Sequence, residues 1–507
     1  MSTAHSLLEP LIFEASSPGH QGVSLPASGV PERPLQALLP QAWLRKKPAQ
    51  LPEVSQLETV RHFTRLSQLN HCIDTGFYPL GSCTMKYNPK VCDTYNQLEG
   101  FTALHPMAPE HLCQGTLGLM YRLQHCLMDI TGFDAVTLQP AAGAQGELVG
   151  MMMVQSYFRQ KNDTARTEVI IPDSAHGTNP ASAGMCGFDV KELRSDPKTG
   201  RVDLEKLAKL LSHKTAALML TNPSTLGLFE SDILTISQLV HDAGGLMYYD
   251  GANLNAVMGQ ARPADMGFDV MHINTHKTFA TPHGGGGPGS GPVAVNRRLE
   301  AFLPSPIVTF DGIRYGLDWD RPHSIGQVKA FYGNVEMMVR AYAYILAHGA
   351  SGLAQVSEDA VLNANYLRAR LSQAYHVPYN TVCKHEFILD SSRQHAQHEK
   401  INTMTLAKRL MDFGFHPPTV YFPLIVHEAM MIEPTETESK ATLDRFVEAM
   451  LTIAEECQQQ PERVIQAPHT TPVSRVDEVV AAKKLDLNYF LTLETSSGTN
   501  SLEATLS

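Results

Sequence analysis

Between about residue 101 and 320 the chain alternates short apolar runs with stretches of helical period, and no other feature narrows its fold as much. The runs are AVTLQ (135–139), EVIIP (168–172), AALMLT (216–221), LMYYD (246–250) and VMHIN (270–274). LVGMMMVQSYFRQ and DLEKLAKLLS lie between them. Brief apolar runs rich in β-branched and aromatic residues read as strands buried on both faces. Strands that alternate with helices imply parallel pairing through crossovers, so the pattern predicts a doubly wound α/β domain over 101–330.

The flanks read differently. Residues 1–100 are rich in Pro, Gly and Ser, with one helical patch, PEVSQLETVRHFTRLSQL, in which Val54, Leu57, Val60, Phe63 and Leu66 recur at helical spacing. We expect an amino-terminal arm with a helix, suited to wrapping a neighbour. From 331 to 464 the helical stretches VEMMVRAYAYILAHG and AVLNANYLRARLSQAY precede the strand candidates EFILD, TVYFPLI and MMIEP. A last helix places Leu443, Phe446, Met450 and Ile453 on one stripe. This part is expected to be a smaller α+β domain, followed by a mobile tail over 465–507.

Composition removes several function classes. The formal charge is −11, from 40 basic and 51 acidic residues, with no basic cluster. Nucleic acid and anionic membrane both demand a positive footprint, so neither is the expected partner. The amino terminus lacks a charged region leading into an apolar core, and no uninterrupted apolar span follows. Eight cysteines are scattered without a CxxC pair, so neither zinc spacing nor a disulfide framework is read, and a cytoplasmic enzyme is expected.

The loop HKTFATPHGGGGPGSGPV, which follows VMHIN, carries the chemistry. Gly284, Gly286 and Gly289 satisfy GxGxxG by count. A dinucleotide fingerprint must open a helix, however, and here Pro288 intervenes before the strand-like GPVAV. No GK[ST] closes a phosphate loop either. The alternative is covalent: Lys277 stands at the carboxyl end of a strand, where open α/β sheets bind ligands. His276 and His283 flank it without a counter-anion, since no Asp or Glu lies between Asp269 and Glu300. A surface lysine on a loose loop would look the same from this stretch alone.

Four other strand ends offer what a phosphorylated pyridine aldehyde needs. Asp250 ends LMYYD and could keep a ring nitrogen protonated. PAAGAQGEL (140–148) supplies small residues at a helix start, fit for a phosphate. His176, in PDSAHGTNPAS, could lie flat on a ring. Asn222, in TNPSTLG, could hydrogen-bond a ring hydroxyl or a substrate carboxylate. Each alone fits a turn or cap; together they supply the parts one cofactor needs.

These loops, with YPLGSCTMKYNP and MIEPTETES, resemble the P-protein family of the glycine cleavage system, in its two-subunit form. The similarity runs from FEASSPGHQG to TPVSRVDEVVAAKKLDLNY, nearly the whole chain. Thr275 stands where the family pattern leads us to expect leucine, and His427 where it leads us to expect proline. The resemblance implies a fold-type-I, aspartate-aminotransferase-like enzyme that uses pyridoxal 5′-phosphate. Lys277 would carry the internal aldimine, Asp250 would pair with the pyridinium, His176 would stack on the ring, and Ala144 and Gln145 would sit at the phosphate, with Asn222 and His276 as further contacts. It also implies decarboxylation of glycine, transfer of the aminomethyl group to the lipoyl arm of an H-protein, and assembly with a homologous first subunit, two copies of each. Another fold-type-I activity (amino-acid decarboxylase or aminotransferase) and a non-catalytic assembly subunit remain the alternatives.

Overall fold

The computed structural model describes residues 9–47, 49–105, 107–284, 289–485 and 487. Gly286 and Pro288 of the glycine loop, the first eight residues and the tail LETSSGTNSLEATLS lie outside the described residues. The chain divides into two compact units, Met1–Cys72 with His469–Ser507, and Ile73–Pro468.

In the first unit the helix Gln56–Gln68 starts on a capping box formed by Ser55 and Glu58. Ser, then Glu three residues later, satisfies two of the amides that a helix start leaves unpaired. Glu9 accepts from Arg65 at 2.6 and 2.7 Å and lies 3.1 Å from His62 Nδ1. Leu57, Val60 and Phe63, three of the five residues of the apolar stripe, are 55–57% exposed in the single chain. The periodicity therefore marks a face open to solvent.

The second unit is built on a seven-stranded sheet of order β1-β7-β6-β5-β4-β2-β3. The strands are β1 (Ala135–Thr137), β2 (Glu168–Pro172), β3 (Asp189–Leu193), β4 (Thr215–Thr221), β5 (Leu246–Gly251), β6 (Val270–Ile273) and β7 (Val293–Val295). Neighbours pair in parallel from β3 through β6, while β7 runs antiparallel between β6 and β1. Strands β4 to β7 are buried throughout. Successive side chains serve two cores: Leu218, Leu220, Met247 and Tyr249 pack on one face, Ala217, Met219, Leu246 and Tyr248 on the other. Helices Gln114–Thr131 and Ile233–Asp242 cover the first face, Gly143–Gln160 and Thr178–Met185 the second. A sheet covered on both faces needs apolar strands without alternation, which is the pattern the sequence carries.

Because β2, β4, β5 and β6 are parallel, their carboxyl ends and the loops that follow lie along one edge. Residues after the glycine loop form β7 rather than a helix, so the dinucleotide reading has no structural counterpart.

A ribbon of β8 (Ile307–Phe310) and β9 (Tyr315–Asp318) packs on helix Gln114–Thr131, and the carboxy-terminal layer is an antiparallel sheet of β10 (Phe387–Asp390), β12 (Ala429–Ile432) and β11 (Thr419–Val420). Helix Lys440–Gln459 backs it, and Leu443, Phe446, Met450 and Ile453 are all buried as the stripe predicts. The two helices expected after 331 are one run, Val335–Leu371, broken at Gly349, whose φ of 60° and ψ of −178° leave the helix. TVYFPLI yields only two ladder residues: Tyr421 takes a φ of 58° and Pro423 has no amide to donate. Among the described residues no helix is long and apolar enough to cross a membrane, and no two cysteines form a disulfide.

Candidate active site

The loops after β1, β2, β4, β5 and β6 enclose a cavity of about 280 Å³. Lys277 enters it from the short helix Thr275–Thr278, one turn beyond β6. Asn274 starts that turn by accepting the Lys277 and Thr278 amides, each at 3.1 Å, which fixes where the lysine leaves the backbone. A broader groove of about 580 Å³ beside Gly349 is lined by neither lysine nor histidine.

Asp250, 2% exposed, ends β5 inside the cavity. Its Oδ2 accepts from Asn179 Nδ2 at 3.0 Å and Thr221 Oγ1 at 3.1 Å, and its Oδ1 from the Ala252 amide at 3.0 Å. His272 Nε2 lies 3.2 Å from Oδ1, and its Nδ1 lies 3.0 Å from the Tyr248 hydroxyl. Burial pulls His272 down to about 4. At neutral pH it is therefore an uncharged donor that orients the carboxylate without cancelling its charge. Four donors converge on one buried carboxylate and fix the direction of both its oxygens.

His176 stands after β2, with an exposed ring beside the cavity. Its Nδ1 is 2.9 Å from Thr178 Oγ1, and that hydroxyl donates to Glu147 Oε1 at 2.8 Å. Glu147 comes from the first turns of helix Gly143–Gln160; burial, reinforced by the Asp250 charge, pushes it up to about 8. His276 lies next to Lys277 and edge-on to His283, ring centroids 4.9 Å apart. Burial and the neighbouring His283 pull His276 down to about 3.

The helix Gly143–Gln160 starts at the opposite wall, where Ala142, Gly143 and Ala144 line the cavity and no side chain caps the first amides. Uncapped amides at a helix start are a ready anion site. A Cβ on Gly143 would fall 1.5 Å from Asn274 Oδ1, and one on Gly291 would fall 2.0 Å from the Ala142 carbonyl. The glycines at Gly143 and Gly291 thus let β7 and the lysine turn close on the helix start. The cavity fits pyridoxal phosphate: an uncapped helix start for the phosphate, an amine for the aldehyde, and a buried carboxylate with fixed donors for the ring nitrogen.

Of the residues expected from the sequence, Lys277, Asp250, His176, Ala144 and His276 converge here. Gln145 and Asn222 do not line the cavity. Gln145 spends its side chain on the Ala141 amide at 2.6 Å and the Val328 carbonyl at 2.9 Å, leaving only its backbone at the helix start. Asn222, fully buried, accepts the Glu230 amide at 2.9 Å. Thr221, one residue earlier, reaches Asp250 instead. Glu147, Thr178, Asn179 and His272 are the partners that sequence reasoning missed.

A family model described as "Glycine cleavage system P-protein" matches residues 32–314, and one described as "Glycine dehydrogenase, C-terminal domain" matches 356–473. The "Probable glycine dehydrogenase (decarboxylating) subunit 2" of Desulforamulus reducens is 56% identical over 484 residues, 96% of this chain and 100% of that protein. This chain belongs to the glycine cleavage system P-protein family. A protein of the same description from Listeria monocytogenes is 56% identical over 480 residues, 95% of this chain and 98% of its own length. Among solved structures, a glycine decarboxylase (P-protein) in inhibitor-bound form superposes with a TM-score of 0.70 at 20% identity, covering 83% of this chain and 94% of that one. The cysteine desulfurase CsdA of Escherichia coli gives 0.57 at 15% identity over 77% of this chain and 97% of that one. At these identities the likeness speaks for the fold, which is that of the fold-type-I pyridoxal-phosphate enzymes.

Proposed function

We propose that this chain is the pyridoxal-phosphate subunit of a glycine-decarboxylating P-protein, and that Lys277 is its cofactor-bearing residue. The observation that carries the assignment is the convergence of Lys277, Asp250 and an uncapped helix start on one cavity, in a chain more than half identical to proteins named for this reaction. When bound, pyridoxal phosphate supplies an electron sink for the electron pair that carbon dioxide leaves behind. This chain's residues do the rest. Lys277 would hold the cofactor at its aldehyde carbon through Nζ, at the place where the amino group of glycine would bind. Asp250 Oδ1 and Oδ2, oriented by Asn179, Thr221, His272 and the Ala252 amide, would face the ring nitrogen and hold a proton on it. His176 would cover one ring face, its orientation set through Thr178 and Glu147. The amides of Gly143, Ala144 and Gln145, at the uncapped helix start, would hold the phosphate.

The aminomethyl group is then passed to a disulfide of the lipoyl arm on an H-protein. A homologous first subunit completes the enzyme, with two copies of each chain, in the cytoplasm. Cofactor-loaded chain, first subunit and lipoylated H-protein are mixed with glycine labelled at its carboxyl carbon. Labelled carbon dioxide is expected from wild type and none above background from Lys277→Ala. No release from wild type, or equal release from the variant, contradicts the assignment.

A further inference from the structure

Three side chains that the proposed reaction leaves unused meet at the carboxy-terminal sheet. His385, Glu386 and Glu433 are each 0% exposed. The register of β10 on β12 pairs Phe387 with Ile432, so one step further Glu386 faces Glu433 across the ladder. Like charges directly opposite one another destabilise a sheet, and buried ones need a counter-charge, a metal or a proton. Among the described residues neither carboxylate has an ion pair with lysine or arginine; His385 Nε2 stands 3.7 Å from Glu386 Oε1 and 3.9 Å from Glu433 Oε1.

The chain at Ser82 and Thr84 donates to both groups. Glu386 Oε2 accepts the Ser82 amide at 2.8 Å, and Glu433 accepts the Thr84 amide at 2.9 Å and the Thr84 hydroxyl at 2.5 Å. To aim those amides, Ser82 and Thr84 take φ of 65° and 51°, where residues with a β-carbon rarely rest. On the inner side neither His385 nitrogen nor Glu386 Oε1 has a hydrogen-bond partner. An imidazole with both nitrogens unpaired in a fully buried position is costly unless something is bound between it and the acids.

We infer that His385, Glu386 and Glu433 form a buried divalent-cation site. One ligand atom from each lies within 4.8 Å of the others. A point equidistant from three atoms so spaced lies about 2.1 to 2.5 Å from each, the range of divalent-cation bonds to carboxylate oxygen and imidazole nitrogen. Two carboxylates match a double positive charge, and the mixed O,O,N set suits manganese, iron(II) or zinc. The site has a structural consequence for the cavity. Ser82 lines the Lys277 cavity while its amide is held by Glu386, so the cation braces one wall of it.

The test uses the full-length, cofactor-loaded chain, untagged and dialysed against a chelator, with Mn²⁺ as the probe. Electron paramagnetic resonance of free Mn²⁺ is expected to show one ion bound per chain, with spin-echo modulation from a single imidazole ¹⁴N. His385→Asn and Glu433→Gln should each weaken binding at least tenfold, and His385→Asn should erase the nitrogen modulation. If a variant fails to fold, the wild-type nitrogen signal still decides. No bound Mn²⁺ together with no stoichiometric metal in the protein as purified, or bound Mn²⁺ without nitrogen coupling, overturns the site and shows that protons neutralise the acids. Neither result bears on whether Lys277 carries the cofactor.

Discussion

Gly143→Ala tests the phosphate wall and the lysine turn together. The new methyl would lie 1.5 Å from Asn274 Oδ1, 2.7 Å from its Cγ and 3.3 Å from its Nδ2. Ordinary contact begins near 3.4 Å, so the amide must move by roughly 2 Å or the helix start must retreat by as much. Asn274 has little room to do so: it is 6% exposed, and its carbonyl takes the Lys277 and Thr278 amides. Overpacking of this kind costs about 1–3 kcal/mol. Spread over a unit of this size, it lowers Tm by only a few degrees. Concentrated on the bound state, it weakens cofactor binding about 5- to 150-fold, since each 1.4 kcal/mol is roughly a factor of ten. Apoprotein titrated with pyridoxal phosphate and followed by visible absorbance reads this directly. Gly115→Ala, where a Cβ meets nothing within 4 Å, is the matched control and should bind as wild type does. Cofactor affinity within twofold of wild type for Gly143→Ala would refute the argument that this glycine sets the distance between phosphate and lysine.

Asp250→Asn keeps the shape but removes the charge. Cofactor should still bind, while single-turnover release of carbon dioxide falls about 100-fold or more, as for loss of a preorganised charge in other active sites; an unchanged rate would exclude Asp250 from the electron sink. Stability should depend on pH in two opposite senses. His272, with its folded value near 4, leaves the unfolded chain binding more protons below about pH 6.5, so apoprotein stability falls on acidification by up to about 3 kcal/mol between pH 6.5 and 4. Glu147, raised to about 8, is protonated in the folded state, so stability also falls as pH climbs from 4.5 towards 8. Urea midpoints across this range check both limbs, and Glu147→Gln should flatten the upper one; an unaltered upper limb counts against the assignment. In the carboxy-terminal layer, Arg409 is 4% exposed and donates to both oxygens of Glu456, at 2.7 and 2.8 Å. Arg409→Ala leaves Glu456 only the half-exposed Arg463, whose Nε lies 3.4 Å from Oε1, and should cost up to about 3–5 kcal/mol in chemical denaturation while leaving the cofactor spectrum unchanged; a cost under 1 kcal/mol would show that the pair is not structural.

How far the sequence was legible followed the physics of each element. EVIIP coincides with β2, and AALMLT and LMYYD each fall one residue short of their strands, because strands buried on both faces write their burial into the sequence. DVKEL, which forms β3, went unread: it is the edge strand, and exposed Asp189, Val190 and Glu192 carry no apolar run. Glycine and histidine spacing located the lysine loop, but the loop after β4 shows where spacing stops. Thr221 and Asn222 are adjacent, and only their side-chain directions decide that Thr221 meets Asp250 while Asn222 turns into the protein. Glu147, Asn179 and His272 were invisible for a related reason. Their roles rest on contacts such as that of Asn179 with Asp250, 71 positions apart in the chain, which local pattern cannot register. The facing of Glu386 and Glu433, 47 positions apart, likewise depends on the ladder register.

The central claim is that the Lys277 amine forms the covalent bond to pyridoxal phosphate. Borohydride reduction of the yellow protein, followed by proteolysis and mass spectrometry, reads it without any assay of turnover. The peptide containing Lys277 should gain the mass of one phosphopyridoxyl group, and no other lysine peptide should. A colourless protein after incubation with the cofactor, or the added mass on a different lysine, would contradict the account.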